Sequence, residues 1–129
     1  MFGFLGSASQ LMGAGFSAGQ ASALVGPAPT TAISAAGTTL ATATALSVVT
    51  NLVSTAAALS GVKLPTGAVT GDWCVVFNDN TTNSFYVYPN TASVQINQLG
   101  VGNGMLLANN TSCIFQKISS TRWIANLSA

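Results

Sequence analysis

The sequence predicts an all-β protein: a small antiparallel sandwich or barrel of about six or seven strands, with an extended Gly/Ala-rich N-terminal arm. Two observations lead to this prediction. From residue 44 onward, short apolar runs recur about every 8–12 residues with turn residues between them, which is typical of a sandwich or barrel. Before Leu40 the chain is mainly small residues, and the larger apolar side chains are concentrated after it. We therefore assign residues 1–40 to an arm and residues 41–129 to a β domain.

Residues 1–26 are rich in Gly, Ala and Ser, with large apolar side chains scattered among them. Glycines lower helical propensity, and the segment alone buries too little apolar surface to offset its ordering entropy. A disordered tail is one interpretation. We favour an arm that orders against neighbouring subunits, because its large apolar side chains need an apolar partner. The assembly or attachment contacts expected there are Phe2, Phe4, Leu5, Leu11, Met12 and Phe16.

Residues 30–60 form an uncharged stretch rich in Thr and Ala, which follows a Gly-Pro-Ala-Pro break at 26–29. Its apolar residues with helical spacing are Leu46, Val49, Leu52 and Val53. That spacing suggests a helix, whereas the Thr and Val content favours strands. We expect extended structure, with a helix as the alternative. An uncharged stretch of this length is suited to packing against further copies of itself.

Strands are expected where apolar runs end at turn signals. The later predicted strands are 62–64, 73–77, 85–88, 94–96, 105–107, 113–118 and 122–125. Pro65 and Pro89 end the first and third of these runs, because proline cannot donate a hydrogen bond to a sheet. Turn signals at 102–104 (Gly-Asn-Gly) and 109–111 (Asn-Asn-Thr) bound the run at 105–107.

Only five charged side chains occur in 129 residues, and the chain has no His and no Glu. They are Lys63, Asp72, Asp79, Lys117 and Arg122. A typical soluble domain is about one quarter Asp, Glu, Lys and Arg. General acid–base catalysis requires groups that titrate near neutral pH, and both aspartates fall in predicted turns, where Asp usually caps its own backbone. We therefore expect no enzymatic activity, no catalytic residue and no cofactor.

The net charge of +1 gives no basic footprint for nucleic acid or anionic lipid. Cys74 and Cys113 do not make a metal site without further ligands. Both lie in apolar runs, which favours buried free thiols, although the sequence leaves a disulfide open. Residues 1–20 have neither the Lys or Arg of a secretory signal nor an apolar run long enough to span a bilayer. We expect synthesis in a cytoplasm and no nucleic-acid or membrane partner.

Aromatic side chains support a separate binding hypothesis. Trp73, Tyr86, Tyr88 and Trp123 could stack on sugar rings, and we take Tyr86, Tyr88 and Trp123 as candidates for surface recognition. Tyr86 and Tyr88 should lie on the same face of one strand, because side chains alternate along a strand. Single-stranded nucleic acid would also need a basic groove, which three cations do not supply. Core and cross-strand packing is the competing interpretation of these aromatics.

Four segments follow one another in the order GVKLP (61–65), GDWCVVFN (71–78), FYVYPN (85–90) and TRWIA (121–125). In this order they resemble a small β module of virion structural proteins of tailed bacteriophages, of the capsid decoration or fibre type. The resemblance covers about residues 44–127 and leaves the first 40 residues outside. It implies a role on a virus particle and carries over no catalytic residue.

Low charge and this resemblance together lead us to expect a bacteriophage capsid decoration (cement) protein, made in the host cytoplasm and bound to the capsid exterior. Its expected partners are the major capsid protein or other virion proteins and further copies of itself, as a homotrimer. A neck, tail-fibre or head-fibre component is the alternative within the same class. A carbohydrate-binding module is the alternative from a different class.

Overall fold

The computed structural model describes residues 28–47 and 49–128, and every regular element in these ranges is a β-strand. The prediction of an all-β protein is therefore confirmed. The strands are β1 (Thr30–Ala35), β2 (Thr44–Ala45), β3 (Thr50–Ala56), β4 (Gly61–Lys63), β5 (Trp73–Asn78), β6 (Phe85–Tyr88), β7 (Gln95–Ile96), β8 (Met105–Leu107), β9 (Ser112–Ser119) and β10 (Arg122–Leu127).

The first six strands alternate between two sheets. β1, β3 and β5 are parallel neighbours in a six-stranded sheet, sheet A, and β2, β4 and β6 are parallel neighbours in a four-stranded sheet, sheet B. Each turn of the chain thus adds one strand to each sheet, as in a β-solenoid. Thr30 lies opposite Asn51 and Thr50 opposite Val75, so successive turns are 21 and 25 residues long.

The remaining strands close the solenoid with mostly antiparallel pairing. β8 is antiparallel to β6 in sheet B, and β9 pairs antiparallel with both β5 and β10 in sheet A. β7 runs parallel to β10 at the edge of sheet A. The prediction of an antiparallel sandwich or barrel is therefore wrong. Both sheets contain parallel as well as antiparallel strand pairs, and their arrangement is solenoid-like. Apolar runs and turns locate strands along the chain, but they do not determine which strands become neighbours.

The core lies between the two sheets. Its fully buried side chains include three large aromatic residues, Phe85, Phe115 and Trp123. Smaller core residues from both sheets pack around them: Val53, Val62, Leu64, Cys74, Val76, Val87, Ile96, Leu107 and Cys113. Alternate residues of each main strand point into this layer, as the period of two requires.

The stretch at 30–60 is extended over β1, β2 and β3, so the strand interpretation is confirmed and the helical alternative is wrong. Ile33 and Ala35 of β1 belong to the core. β1 thus lies within residues 1–40, the range that the sequence assigned to the arm. Small, uncharged residues do not distinguish an arm from the first turn of a solenoid.

Candidate assembly surface

The outward side of sheet A carries apolar side chains along its two central strands. On β5 the outward positions are Trp73, Val75 and Phe77, and Trp73 is 47% exposed. On β9 they include Ile114 and Ile118, and Ile114 is 41% exposed. Val75 lies directly opposite Ile114 across the strand pair. These side chains therefore form a continuous patch at the centre of the sheet.

The flanking strands extend this patch. On one side, Leu52 of β3 lies opposite Phe77 of β5. On the other side, Gln116 of β9 lies between Ile124 of β10 and Trp73 of β5. Leu52, Val75 and Ile124 are partly exposed. We call the whole set the sheet A outer face: Leu52, Trp73, Val75, Phe77, Ile114, Ile118 and Ile124.

β5, at the centre of sheet A, is consequently apolar on both sides from Trp73 to Phe77. The intervening residues of β5 and β9, among them Val76 and Phe115, point into the core. A sheet with one solvated side normally alternates apolar and polar residues, whereas a sheet covered on both sides has near-continuous apolar strands. The sequence signal for this surface is the unbroken run at 73–77, in which both the odd-numbered and the even-numbered residues are apolar.

Charges lie at the ends of this surface. Asp72 immediately precedes β5 and Asp79 immediately follows it, while Arg122 begins β10. Oδ2 of Asp72 accepts a hydrogen bond of 2.9 Å from the backbone N–H of Val69, which confirms the turn-capping role predicted for this aspartate. The outer face itself thus presents no charged side chain among its seven residues.

A shallow cleft of about 220 Å³ lies at the Asp79 end of the outer face. Its lining combines apolar outer-face residues with polar loop residues: Leu52, Phe77, Asn78, Asp79, Asn110, Thr111, Ser112 and Ser128. Among the described residues, no group of three or more His, Cys, Asp or Glu side chains comes together as a metal site. The same residues include no helix with the length and apolarity to cross a membrane.

Tyr86 and Tyr88 lie side by side on the outward face of sheet B, so the prediction that they share a face is confirmed. Their ring centroids are 6.0 Å apart and the ring planes are inclined by 36°. The hydroxyl of Tyr88 donates a hydrogen bond of 2.9 Å to the carbonyl oxygen of Thr38, which fixes the ring across the sheet. Burial, with a smaller effect of the neighbouring Tyr86, raises the pKa of Tyr88.

Trp123, the third predicted recognition residue, lies elsewhere. Its side chain is fully buried, and its Nε1 donates a hydrogen bond of 3.0 Å to Oδ1 of Asn90. Nζ of Lys117 lies 5.7 Å from the centre of its ring. The surface-recognition role predicted for Trp123 is therefore wrong, because the indole has no face open to a ligand. Trp73 is instead the exposed tryptophan, on the sheet A outer face.

Cys74 and Cys113 are free, buried thiols, as the sequence predicted. Burial raises the pKa of Cys74 to about 12, although a hydrogen bond from Asn51 partly opposes this effect. Burial likewise raises the pKa of Cys113 to about 12. A nucleophilic cysteine is a thiolate with a lowered pKa, so these side chains act as small apolar core residues at neutral pH.

The attachment residues predicted in the arm, Phe2, Phe4, Leu5, Leu11, Met12 and Phe16, lie outside the described residues. The described candidates are thus the sheet A outer face and the Tyr86–Tyr88 pair on sheet B. No protein-family model matches the chain, and no curated protein sequence is significantly similar to it.

Proposed function

We propose that this protein is a structural protein of a tailed-bacteriophage virion, and specifically a capsid decoration (cement) protein. The observation that carries the proposal is the sheet A outer face. A contiguous apolar surface of this kind is stabilised when a partner covers it, and the absence of charged side chains on it keeps the desolvation cost of association low. A protein whose task is to bind other subunits needs such a surface.

The positions of the motifs support the same proposal. GVKLP begins with β4, GDWCVVFN contains β5, FYVYPN contains β6 and TRWIA overlaps β10. The segments that resemble phage virion modules therefore lie on the strands that build the two sheets. In this proposal the protein binds the outside of the capsid shell as a homotrimer, contacts the major capsid protein, and stabilises the shell by bridging neighbouring subunits.

Shell binding can be tested with the virus whose genome encodes this sequence. Expanded capsid shells prepared without the protein are mixed with the purified full chain and sedimented. We expect saturable co-sedimentation and a higher disruption temperature of the loaded shells, whereas fully decorated native particles should take up no further chain. Absence of the chain from both the reconstituted shells and purified infectious particles would contradict a virion role.

A position in the neck, a tail fibre or a head fibre is the alternative within the same class of virion structural proteins. Electron cryomicroscopy of particles labelled through this chain distinguishes these positions, because cement proteins repeat over the shell and fibres occupy one vertex or the tail. If the label is confined to one vertex or to the tail, the decoration role is wrong and the virion role stands.

The Tyr86–Tyr88 pair favours a second candidate function, a carbohydrate-binding module. Paired rings fixed on a flat sheet provide a stacking surface for sugar rings. A glycan array probed with the full chain and with Tyr86→Ala tests this function. Binding that disappears in Tyr86→Ala but persists in the exposed, non-aromatic control Val69→Ala, which lies in the loop before β5, would support it, and no binding by the wild-type chain would exclude it.

A further inference from the structure

We infer that the sheet A outer face is covered by the same face of further copies of this chain, so that it is the self-association surface of the protein. This inference rests on the proposed virion role and deepens it by naming the partner that occupies the surface. Its premise is that all three outward residues of β5 and two outward residues of β9, Ile114 and Ile118, are large and apolar, although the described chain leaves them partly or largely exposed.

The size of the surface fits a specific interface. Four strands (β3, β5, β9 and β10) spaced about 4.8 Å apart, each about six residues long at about 3.3 Å per residue, span roughly 400 Å² in projection. The accessible area is larger, because side chains stand up from the sheet. Two such faces together therefore approach the ~1,000 Å² that is the minimum for a specific protein–protein interface.

The two ends of the surface differ in charge, because one end carries both Arg122 and Asp72 and the other carries Asp79. Arg122 lies opposite Ser119 of β9, and Trp73, the first residue of β5, lies opposite Gln116 of the same strand. Arg122 therefore lies at the end of the sheet where β5 begins. Asp79 lies at the opposite end, where β5 finishes. The carboxylate at the Arg122 end, Asp72, accepts a hydrogen bond from its own turn.

Symmetric packing of copies uses this difference. A three-fold axis along the direction in which the strands stack places the Arg122 end of one copy beside the Asp79 end of the next, and a two-fold axis along the same direction, lying between the two faces, does the same. Self-packing thus brings Arg122 of one copy to the end that carries Asp79 of the next, while the uncharged centre is buried. The chain's net charge of +1 adds little repulsion between copies.

The test is the native mass of the full chain, measured by light scattering at micromolar concentration without any shell. We expect the wild type at two or three times the 12.9 kDa chain mass. Ile114→Lys should be monomeric, because an unpaired lysine in the centre of the interface weakens association by roughly a hundredfold or more. Its circular dichroism should match the wild type, since Ile114 is exposed in the single chain.

Leu106→Lys is the matched control. Leu106 is 47% exposed on the outward side of sheet B, so the same substitution at similar exposure should leave the native mass unchanged. A monomeric wild type would overturn the inference, as would an Ile114→Lys variant that keeps the wild-type mass or a Leu106→Lys variant that dissociates as fully as Ile114→Lys.

Shell binding separates this inference from the proposed function. If the wild type is oligomeric and Ile114→Lys monomeric but neither binds shells, the self-association surface stands and the decoration role fails. If the wild type is monomeric and binds shells, and Ile114→Lys does not, the outer face contacts the shell. The decoration role then stands and the self-association inference fails.

Discussion

The indole Nε1 of Trp123 donates a hydrogen bond of 3.0 Å to Oδ1 of Asn90 inside the core. Trp123 belongs to β10 of sheet A, and Asn90 lies in the loop after β6 of sheet B, so this bond joins the two sheets. Both residues are buried, with Trp123 fully enclosed. A buried donor that loses its partner costs more than the net value of the bond, because water cannot replace the partner.

We therefore expect Asn90→Ala to lower the free energy of unfolding by about 1–3 kcal/mol, since it leaves Nε1 of Trp123 unpaired. Urea unfolding followed by fluorescence measures this change. The exposed Asn126 provides a control, and Asn126→Ala should alter stability by no more than about 0.5 kcal/mol. Additive effects of Asn90→Ala and Trp123→Phe in a double-mutant cycle would show that the bond contributes nothing.

Asn78 is a second buried polar residue with all its groups satisfied. Its Nδ2 donates to the carbonyl oxygens of Asn83 (3.0 Å) and Leu107 (3.1 Å), and its Oδ1 accepts from the backbone N–H of Asn80 (3.0 Å). Asn78→Asp would place a carboxylate against the two carbonyl oxygens. We expect this repulsion and burial to raise the pKa of the introduced aspartate above its unfolded value of about 3.9.

A raised folded-state pKa stabilises the fold below the unfolded pKa, and this contribution is lost as pH rises through the folded pKa. Asn78→Asp should therefore be destabilised relative to the wild type by about 3 kcal/mol or more at pH 7, and by less at pH 4. Thermal unfolding at both pH values measures the difference. Asn78→Ala introduces no titrating group, so its loss of stability should be the same at both pH values. If the loss of stability of Asn78→Asp were also equal at pH 4 and pH 7, the repulsion would be refuted.

The ring of Tyr88 lies across two glycines on the outward face of sheet B. A Cβ at Gly61 would be 2.7 Å from Cε2 of Tyr88, and one at Gly104 would be 2.9 Å from its Cε1. We expect Gly61→Ala to lower the free energy of unfolding by about 1–3 kcal/mol. The ring must move to accept the methyl group, and it then loses its hydrogen bond to Thr38.

Denaturant unfolding tests this prediction. Gly67→Ala is the control, because a Cβ at Gly67 meets no atom within 4 Å, and it should leave stability unchanged or slightly raised. The penalty of Gly61→Ala should shrink in a Tyr88→Ala background. A penalty of the same size there would show that the clash with Tyr88 is not its cause.

Much of the fold could be predicted from the sequence, because the alternation of side chains and the residue composition are properties of each strand by itself. The extended state of 30–60, the shared face of Tyr86 and Tyr88 and the buried thiols all follow from local pattern. Strand partners do not. Val62 pairs in parallel with Val87, 25 residues later, and alternation shows which side of a strand is buried but not which strand lies beside it.

The candidate surface could likewise be predicted from the sequence only in part. The apolar run at 73–77 indicates a strand covered on both sides, but only the pairing of Val75 with Ile114 shows that two such runs combine into one patch. Trp123 was misassigned for a related reason. A tryptophan in a strand has the same sequence signature whether it faces water or the core, and its partner Asn90 lies 33 residues away.

The two buried thiols make stability sensitive to alkaline pH. Burial raises the pKa of Cys74 and Cys113 from 9.0 in the unfolded chain to about 12. The folded state therefore favours the neutral thiols; this stabilisation is complete below pH 9.0 and is lost as pH rises towards 12. We expect the urea midpoint to fall between pH 9 and pH 11.

Cys74→Ala/Cys113→Ala is the matched control. The lost sulfur atoms lower the stability of this variant at every pH. Its stability should nevertheless fall less steeply at alkaline pH than that of the wild type. The decline that is left comes from Tyr88, because burial also raises the pKa of Tyr88. Native thiols should also react with a disulfide reagent at pH 8 far more slowly than denatured ones. Equal alkaline slopes for the variant and the wild type would refute the role of the thiols.

Leu59 adopts a left-handed backbone conformation (φ 60°) in the turn between β3 and β4, with 53% of its side chain exposed. This conformation costs a residue with a Cβ roughly 1–2 kcal/mol. Leu59→Gly removes that strain and adds some unfolded-state entropy, so we expect a net gain of about 0.5–1 kcal/mol in the free energy of unfolding. Ala58→Gly, next to it and without a positive φ, should instead lower stability. A lower thermal midpoint for both variants would mean that contacts of the Leu59 side chain outweigh its backbone strain.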